Sequence, residues 1–333
     1  MQRIAFHHSA HRVSGAHRRL AGSVLLPLVV CLALLTLPFV MAACGESEEA
    51  TIEPTATSAP TEFDIANVEA DSDINAMLPD DIESAGVMHV AADIPYPPWN
   101  MFVEEGGEEV TGFDYDLAMA LGAKMGIEAS FEQVAFDATI PALQAGKSDV
   151  AISCMYDNAE RREVLDFIDY AKEGSAMVVK AGNPEGITTL TDIAGKTVAA
   201  QHGSTQAVFL EKLQEQFKAD GLAEMEILAL PKDSDALLAV FSGKAVADMS
   251  SGPGAEWMAT QTDKYEVVRD PEYPNGYEPS VVGAGVLKER TELRDALQAA
   301  LQALIDDGTY QLIIDKYGLQ TAAVTSAEIN QGT

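Results

Sequence analysis

The sequence predicts an α/β protein with two lobes, each holding a mostly parallel sheet flanked by helices. Two observations favour this class. Short apolar strands alternate with helix-forming segments along most of the chain, and that alternation is typical of parallel sheets covered on both faces. The chain has 333 residues, which exceeds the length of one ordinary small domain, so we expect a division into two lobes.

The composition is that of a strongly acidic protein with enough apolar residues for a sizeable core. Hydrophobic residues make up 47% of the chain, and 52 acidic against 21 basic residues give a formal net charge of -31. Such a surface repels nucleic acid and anionic lipid headgroups, so we expect no nucleic-acid partner. The charge alone does not indicate the ligand, because excess acidic residues usually form a solvated surface.

The cysteines predict neither a disulfide framework nor a metal site. Cys31 lies in an apolar N-terminal run and Cys44 at a processing site, which leaves Cys154 without a partner. The chain has no C-x-x-C spacing, and its predicted folded part has no histidine cluster, so we expect no metal and no cofactor. His89 and His202 stand alone in the sequence and are interpreted as structural.

The amino-terminal region predicts an export signal over residues 1–43. Basic residues precede an apolar run that ends in Met41-Ala42-Ala43-Cys44-Gly45, and signal processing requires small residues before the cleavage point. This ending resembles the lipobox of bacterial lipoproteins, whose cysteine sulfur takes a diacylglyceryl group, and the resemblance implies lipidation of Cys44. A retained membrane-spanning helix is the alternative, because the run is long enough. Pro27 and Pro38 interrupt the run and favour the lipoprotein.

Residues 44–77 are predicted to be a disordered tether. Their composition shifts to Glu, Thr, Ser, Ala and Pro with few large apolar residues, which cannot form a packed core. The globular part is predicted to begin at Leu78. The further predicted boundaries are lobe 1 at 78–179 and 283–320, lobe 2 at 180–282 and a C-terminal tail at 321–333.

Lobe 1 is predicted to alternate strands and helices. A buried strand at 87–92 leads into the proline-stiffened loop 93–99, and residues 104–109 form a hairpin turn. A helix begins within 112–116 and stops at Gly126. The remaining predicted elements are a strand at 131–134, a helix at 138–145 and a strand at 149–152.

The second half of the chain follows the same plan without a sequence repeat. The turn 203–206 opens a helix that runs to Phe217. The predicted strands are 198–200, 226–230, 245–249 and 281–286, and the predicted helices are 235–241, 291–306 and 310–317, with Gly318 as the last stop.

The stretch 153–169 is predicted to follow a strand and turn into a helix. Asp157 and Asn158 are suited to capping a helix, and Arg161 falls in its first turn. The planar guanidinium matches the two oxygens of a carboxylate, so the stretch predicts a site for a small carboxylate. The alternative is that Arg161 lies on a solvated helix surface beside Arg162.

A set of short motifs recurs from Leu78 to about Leu319, each weak alone and specific as a set. They are Tyr96-Pro97-Pro98, Gly112-Phe113-Asp114-Tyr115-Asp116-Leu117, Phe136-Asp137 through Gly146-Lys147-Ser148-Asp149, Glu160-Arg161, Asp166-Phe167, Gly195-Lys196-Thr197-Val198, Gly203-Ser204-Thr205-Gln206 and Gly308-Thr309-Tyr310. With these motifs the chain resembles the extracellular solute-binding proteins of polar amino-acid ABC importers, which have the type II periplasmic binding fold. The resemblance implies two lobes joined by two crossover segments, with the ligand in the cleft between them.

The resemblance also implies where the ligand binds. In the family an arginine matching Arg161 holds the ligand α-carboxylate. Ser204 and Thr205 open a helix, so their backbone N–H groups and hydroxyls are expected to share that carboxylate. Tyr96 and Trp99 are expected to wall the side-chain pocket, although core packing is an equal alternative for Trp99.

Three acidic residues near these motifs are interpreted differently. Asp93 is expected at the cleft mouth, where similar proteins sometimes carry an acid that selects the ligand side chain; otherwise it is a turn residue. Asp114 and Asp116 stand at a helix start, where aspartate is more often a cap, and both are interpreted as structural.

The chain departs from the family where the ligand backbone is held. Family members usually have Ser or Thr where this chain has Cys154 and Tyr156, next to Ser153. Ser251 stands where relatives carry an aspartate that pairs with the ligand ammonium, and a register shifted by two residues puts Pro253 there instead.

The missing acid leaves two expectations open. Either the ligand lacks a conventional α-ammonium or another carboxylate has taken over, with Asp93 and Asp157 as candidates. Asp248 is disfavoured, because its parity in the predicted strand is opposite to that of Ser251.

The sequence therefore predicts an extracytoplasmic receptor, anchored to the cell membrane by lipid, that captures an amino acid-like solute and delivers it to an ABC permease. The expected partners are the solute, the permease and the membrane, and we expect a monomer. An enzyme is one alternative, since a few similar proteins are dehydratases acting on cyclic carboxylates, but no general acid and base pair is evident in the predicted cleft. A ligand-sensing lobe is another alternative, although such lobes are normally fused to a membrane helix and a cytoplasmic module.

Overall fold

A computed structural model describes residues 62–104 and 106–333 of the chain. The predicted export signal, Cys31 and Cys44 lie outside the described residues. The α-helices are α1 Ser72–Asn75, α2 Asp80–Ala85, α3 Phe113–Met125, α4 Thr139–Gln144, α5 Thr205–Ala219, α6 Asp233–Phe241, α7 Gly252–Gln261, α8 Thr291–Asp306 and α9 Thr309–Lys316.

The strands of the described residues form a large curled sheet and a small hairpin. They are β1 Val87–Ala92, β2 Met101–Phe102, β3 Val110–Thr111, β4 Glu128–Gln133, β5 Val150–Ala151, β6 Leu165–Lys180, β7 Thr197–Gln201, β8 Glu226–Leu230, β9 Ala247–Ser251, β10 Tyr265–Val267, β11 Tyr277–Leu287 and β12 Glu328–Ile329. The order in the large sheet is β4-β1-β5-β11-β6-β9-β7-β8, with β10 and β12 also paired to β6. β1 pairs in parallel with β4 and β5, and β7 with β8 and β9.

Two long antiparallel strands connect the lobes. β6 pairs with β11 from its first residue, and its second half pairs with β9. β11 runs back along β6, with Tyr277 opposite Ser175 and Leu287 opposite Leu165. The predicted fold class, two α/β lobes joined by two crossover segments, is confirmed.

Each lobe has its own hydrophobic core. Leu293, Leu297 and Leu301 of α8 recur four residues apart and are buried in the core of lobe 1, as expected for one face of a helix. α3 in the same core ends at Gly126, whose φ of 71° is left-handed. In lobe 2, residues of α5 such as Leu210 pack against β7 and β9.

Several predicted elements are confirmed close to their predicted ends. β1, β8 and α8 match their predicted bounds, and the turn 104–109 joins β2 to β3. These segments combine apolar periodicity with clear stop residues, so local pattern and fold agree.

The helix predicted within 153–169 is wrong. Arg161–Glu163 form a single 3-10 turn, and the chain then enters β6. The N-cap residue of this turn is Glu160, and the Oδ1 of Asn158, two residues earlier, accepts the Arg161 N–H at 2.9 Å. The buried strand β6 accommodates acidic residues because other elements supply hydrogen-bond donors to them. For example, Arg294 Nη1 of α8 donates to Asp166 Oδ2 at 2.9 Å.

The ends of the folded part differ from the predicted tether and tail. Ile65–Asn67 and Ser72–Asn75 are helical, and Ile74 is buried in the core of lobe 1. The folded part therefore begins before Leu78. Near the other end, β12 pairs with β6, and the Asn330 side chain accepts a backbone N–H of that strand at 2.9 Å.

Within residues 62–104 and 106–333, no helix combines the length and the apolar character needed to cross a membrane.

Candidate functional site

A small cavity lies between the two lobes and contains several of the predicted site residues. Its volume is only about 10 Å³, roughly the space that one water molecule needs. Lobe 1 contributes Tyr96, Phe136, Cys154, Tyr156 and Arg161, and lobe 2 contributes Gln201, Ser204, Thr205, Gln206, Asp233, Met249 and Ser250. A larger open groove lies along the two crossover strands, and Glu173 of β6 is among its lining residues. None of the predicted ligand-binding residues lines this groove.

Arg161 lies in the cavity wall and bridges the lobes. Its Nη1 donates to the Tyr156 carbonyl at 2.8 Å, and its Nη2 donates to the Gly203 carbonyl of lobe 2 at 3.2 Å. The guanidinium carbon lies 5.3 Å from the centre of the Phe136 ring. Burial lowers the Arg161 pKa to about 10, so the group stays cationic at neutral pH and presents a planar set of donors.

The start of α5 faces the same cavity from lobe 2. Ser204 is the N-cap residue, and its Oγ accepts the Ala207 N–H at 3.1 Å. The Thr205 Oγ1 is buried and has no hydrogen-bond partner among the described residues. The N-terminus of this 15-residue helix carries a partial positive charge that favours anions.

The aromatic loop between β1 and β2 belongs to lobe 1 and contacts lobe 2. The Tyr96 hydroxyl accepts the Ser251 N–H at 3.2 Å and lines the cavity. Trp99 is fully buried and packs edge-on against Phe113 in the core of lobe 1, with ring centres 5.5 Å apart. Its Nε1 donates to Ser251 Oγ at 3.1 Å, so Trp99 contacts lobe 2 from behind the cavity wall.

Two buried carboxylates lie beside the cavity, Asp93 from lobe 1 and Asp233 from lobe 2. Asp93 accepts a hydrogen bond from Gln201, and its own N–H donates to Ser153 Oγ at 2.9 Å. Asp233 accepts from Ser250 Oγ at 2.8 Å. Burial raises the pKa of Asp93, and it raises the pKa of Asp233 to about 6.

Ser251 is engaged by several neighbours and does not line the cavity. It is the N-cap of α7, where its Oγ accepts the Gly254 N–H at 3.2 Å. The same hydroxyl donates to Glu173 Oε2 at 2.7 Å. Ser251, where the resemblance led us to expect an acid, is therefore hydrogen-bonded to an acid from β6.

The two acids weighed as alternatives to Ser251 lie in different places. Asp93 lies next to the cavity, where its carboxylate accepts a hydrogen bond from the lining residue Gln201. Asp157 points away from it, since its Oδ2 accepts the Gly332 N–H at 2.6 Å and its Oδ1 lies 3.4 Å from Arg162 Nε. Asp248 is fully buried.

Cys154 and Tyr156 line the lobe 1 side of the cavity. Their loop is held in place by hydrogen bonds to the core of lobe 1. The Cys154 N–H donates to Asp114 Oδ2 at 2.7 Å, and the Asn100 side chain donates to the same oxygen at 3.1 Å. Asp114 is thus structural, as interpreted from the sequence, although it does not cap α3. Asp116 is also structural and accepts from the Tyr317 hydroxyl at 2.7 Å.

Sequence reasoning missed four polar residues that line the cavity, Gln201, Gln206, Asp233 and Ser250, and the buried Glu173 behind it. Gln201 ends β7, Asp233 begins α6 and Glu173 lies inside β6. None of these three stands out in the sequence, because each lies among other polar or small residues. Their convergence depends on strand register across the lobes, which no local pattern specifies. No group of His, Cys, Asp and Glu in the described part of the chain is arranged to hold a metal ion.

The chain is similar to several known binding proteins. An arginine-binding protein of Corynebacterium glutamicum is 31% identical over 261 residues, which cover 78% of this chain and 83% of that protein. The structure of an ancestral arginine-binding protein bound to arginine has a TM-score of 0.60 at 32% identity and covers 70% of this chain and 98% of its own. An ancestral amino acid-binding protein described as a precursor of cyclohexadienyl dehydratase has a TM-score of 0.63 at 28% identity, covering 72% of this chain and 98% of its own.

The family assignment follows from a match along most of the folded part. Residues 88–320 match the model of the bacterial extracellular solute-binding proteins, family 3. This range includes both lobes, both crossover strands and every residue that lines the cavity. The chain therefore belongs to the family 3 bacterial extracellular solute-binding proteins.

Proposed function

We propose that this chain is the extracytoplasmic receptor of an ABC importer for a cationic amino acid such as L-arginine. The observation that carries the ligand class is the charge of the cleft. One guanidinium and a helix N-terminus share a small cavity with the buried carboxylate of Asp233. A second buried carboxylate, that of Asp93, accepts a hydrogen bond from Gln201 in the cavity wall. A ligand with a carboxylate at one end and a cation at the other has the complementary charges.

The carboxylate of the ligand is expected to bind Arg161 and the start of α5. Arg161 uses two donors on backbone carbonyls, and a guanidinium has five N–H donors in all, so others remain for the ligand. The partnerless Thr205 hydroxyl is a further donor. An anion at a helix N-terminus is favoured by the backbone N–H groups and by the helix dipole.

The cationic side chain is expected to bind Asp93 and Asp233. Both carboxylates are buried, and burial raises the pKa of each, because a carboxylate without a cation is costly in the protein interior. A guanidinium or ammonium group would offset this cost and favour the ionised forms. The arginine-binding relatives support this ligand class.

Ligand capture is expected to couple to closure of the lobes. Contacts already join the lobes at three places around the cavity, from Arg161 to Gly203, from Tyr96 to Ser251 and from Asp93 to Gln201. A ligand that contacts both lobes binds the closed arrangement better than an open one, so it shifts the population towards closure.

A thermal-shift screen tests the ligand class. L-Arginine and L-lysine are expected to raise the melting temperature of the purified protein, because binding to the native state stabilises it. L-Citrulline is the matched control, since it has nearly the shape of arginine without the side-chain charge. Equal shifts with arginine and citrulline would contradict the role given to Asp93 and Asp233.

We also infer that the chain binds its ligand without converting it. The similar ancestral protein that preceded a dehydratase is itself described as amino acid-binding. Mass spectrometry is expected to recover the bound amino acid unchanged after prolonged incubation. Release of a converted product would favour the enzyme alternative.

The lipid anchor on Cys44 completes the proposal. It would hold the receptor at the outer face of the cell membrane, within reach of the permease. Two acyl chains suffice for stable membrane attachment, whereas one gives only reversible binding.

A further inference from the structure

Glu173 is a buried acid at the junction of the two lobes. On one side the Ser251 hydroxyl of lobe 2 donates to its Oε2 at 2.7 Å. On the other side the Cys154 thiol donates to its Oε1 at 3.5 Å. Only 8% of the residue is exposed, so the carboxylate is almost entirely removed from solvent.

No cation balances this carboxylate among the described residues. Its hydrogen-bond donors are neutral O–H and S–H groups, and Glu173 takes part in none of the salt bridges formed there by lysine, arginine or histidine. An unpaired ionised carboxylate in the interior is costly. Burial accordingly raises the Glu173 pKa to about 7.

The carboxylate lies one small side chain behind the cavity. Cys154 lines the cavity and contacts Glu173 as well. Cys154 belongs to the same loop as Arg161, whose Nη1 is bonded to the carbonyl of Tyr156 in that loop. An α-ammonium and an α-carboxylate share one carbon atom, so a ligand carboxylate held by Arg161 brings its ammonium to this wall.

We propose that Glu173 is the residue that selects the α-ammonium of the ligand, in place of the aspartate that the resemblance implies at position 251. This inference rests on the proposed function, because it concerns the same cavity. The Ser251 hydroxyl contacts the Glu173 carboxyl group, so an acidic group lies next to this position although it comes from β6 and not from β9. Asp233 lies beside Ser250 and is assigned to the ligand side chain.

Calorimetric titrations with three ligands and two variants separate the two assignments. The ligands are L-arginine, its analogue without the α-amino group, 5-guanidinopentanoate, and L-citrulline. In Glu173→Gln the preference for arginine over 5-guanidinopentanoate is expected to fall at least tenfold, while the preference for arginine over citrulline stays. The matched control Asp233→Asn is expected to show the reverse pattern.

The titrations distinguish failure of the Glu173 assignment from failure of the proposed function. If wild type binds arginine and Glu173→Gln keeps the full preference for the amino form, Glu173 is not the selecting residue and the proposed function stands. If wild type binds neither arginine nor lysine, the proposed function fails and this inference fails with it.

Proton linkage in wild type tests the inference without any variant. Because a Glu173 carboxylate with a pKa of about 7 must ionise to pair with an ammonium, affinity for arginine is expected to rise several-fold from pH 6 to pH 8. Affinity for 5-guanidinopentanoate should rise less, because the guanidinium that faces Asp93 and Asp233 is common to both ligands. Equal pH dependence of the two ligands would overturn the inference.

The other titratable groups around Glu173 do not produce this difference. Cys154, Tyr156 and Tyr96 have pKa values that burial raises well above their usual range, so they remain neutral between pH 6 and pH 8. Asp114, whose pKa burial raises to about 7, lies behind the Cys154 backbone. The Glu173→Gln variant, measured over the same pH range, separates its contribution, because a pH difference due to Asp114 would persist there.

Discussion

Replacing Arg161 with lysine is expected to weaken binding of L-arginine about 30-fold. The guanidinium bridges the lobes through the carbonyls of Tyr156 and Gly203 and offers its remaining donors to the ligand carboxylate. Lysine keeps the charge but presents it as a point on a flexible stem, so it cannot hold both carbonyls and form a two-pronged bond to a carboxylate.

The magnitude follows from the bonds that are lost. A hydrogen bond that involves a charged group contributes about 1.5–3 kcal/mol, and the substitution removes at least one of these from the ligand. A loss of about 2 kcal/mol corresponds to a Kd about 30-fold higher. The fold is expected to survive, because Arg161 is only partly buried and lies in a short turn outside the sheet.

Calorimetric titration measures the change, and Arg162→Lys is the matched control. Arg162 is the next residue in the same turn, but its Nη1 donates to the Asn330 and Gly332 carbonyls away from the cavity. The control is expected to bind arginine within threefold of wild type. An Arg161→Lys variant that also stays within threefold would show that Arg161 is not the carboxylate-binding residue.

Three further predictions concern the anchor, the backbone and the pH dependence of stability. Cys44→Ser is expected to move the protein from the membrane fraction to the soluble fraction without changing ligand affinity; sedimentation with membranes after a salt wash would instead favour a spanning helix. Gly112→Ala is expected to lower the unfolding free energy measured by urea titration by about 3 kcal/mol, because φ is +131° and a Cβ would clash with the Trp99 carbonyl oxygen. The control Gly146→Ala, with open space around it, should lower it by about 1 kcal/mol. Asp248→Asn is expected to stabilise the protein at pH 8 by about 2 kcal/mol and less at pH 5. Burial raises the pKa of Asp248 in the folded state well above 3.8. As the pH rises, ionisation of Asp248 therefore lowers the free energy of the unfolded chain but not that of the folded protein. Equal effects of the substitution at pH 5 and pH 8 would contradict this reasoning.

The sequence alone predicted the bounds of those elements that carry a clear periodic pattern of apolar residues. The apolar run of β1 and the leucine spacing of α8 gave their bounds, because burial of one strand or one helix face leaves a periodic signal. β6 was missed, because Asp166, Asp169 and Glu173 interrupt its apolar character. Those acids are accommodated by donors from distant segments, such as Gln331 for Asp169, which a local pattern cannot reveal.

The candidate site was predictable only in part for the same reason. Arg161, Ser204 and Tyr96 stand in motifs and do line the cavity. Trp99 stands in the same loop as Tyr96 and yet packs in the core, because the orientation of a side chain in an irregular loop has no sequence signal. Glu173 meets Ser251 only because β6 and β9 pair in one register, with Ser175 opposite Ser251, and register is a property of the assembled sheet.

A crystal structure of the protein with bound L-arginine tests the central claim most directly. The account predicts one arginine between the lobes, with its α-carboxylate on Arg161 and the start of α5 and its guanidinium within hydrogen-bond distance of Asp233 or Asp93. An arginine bound in the reverse orientation, or outside this cavity with Arg161 unoccupied, would contradict the account.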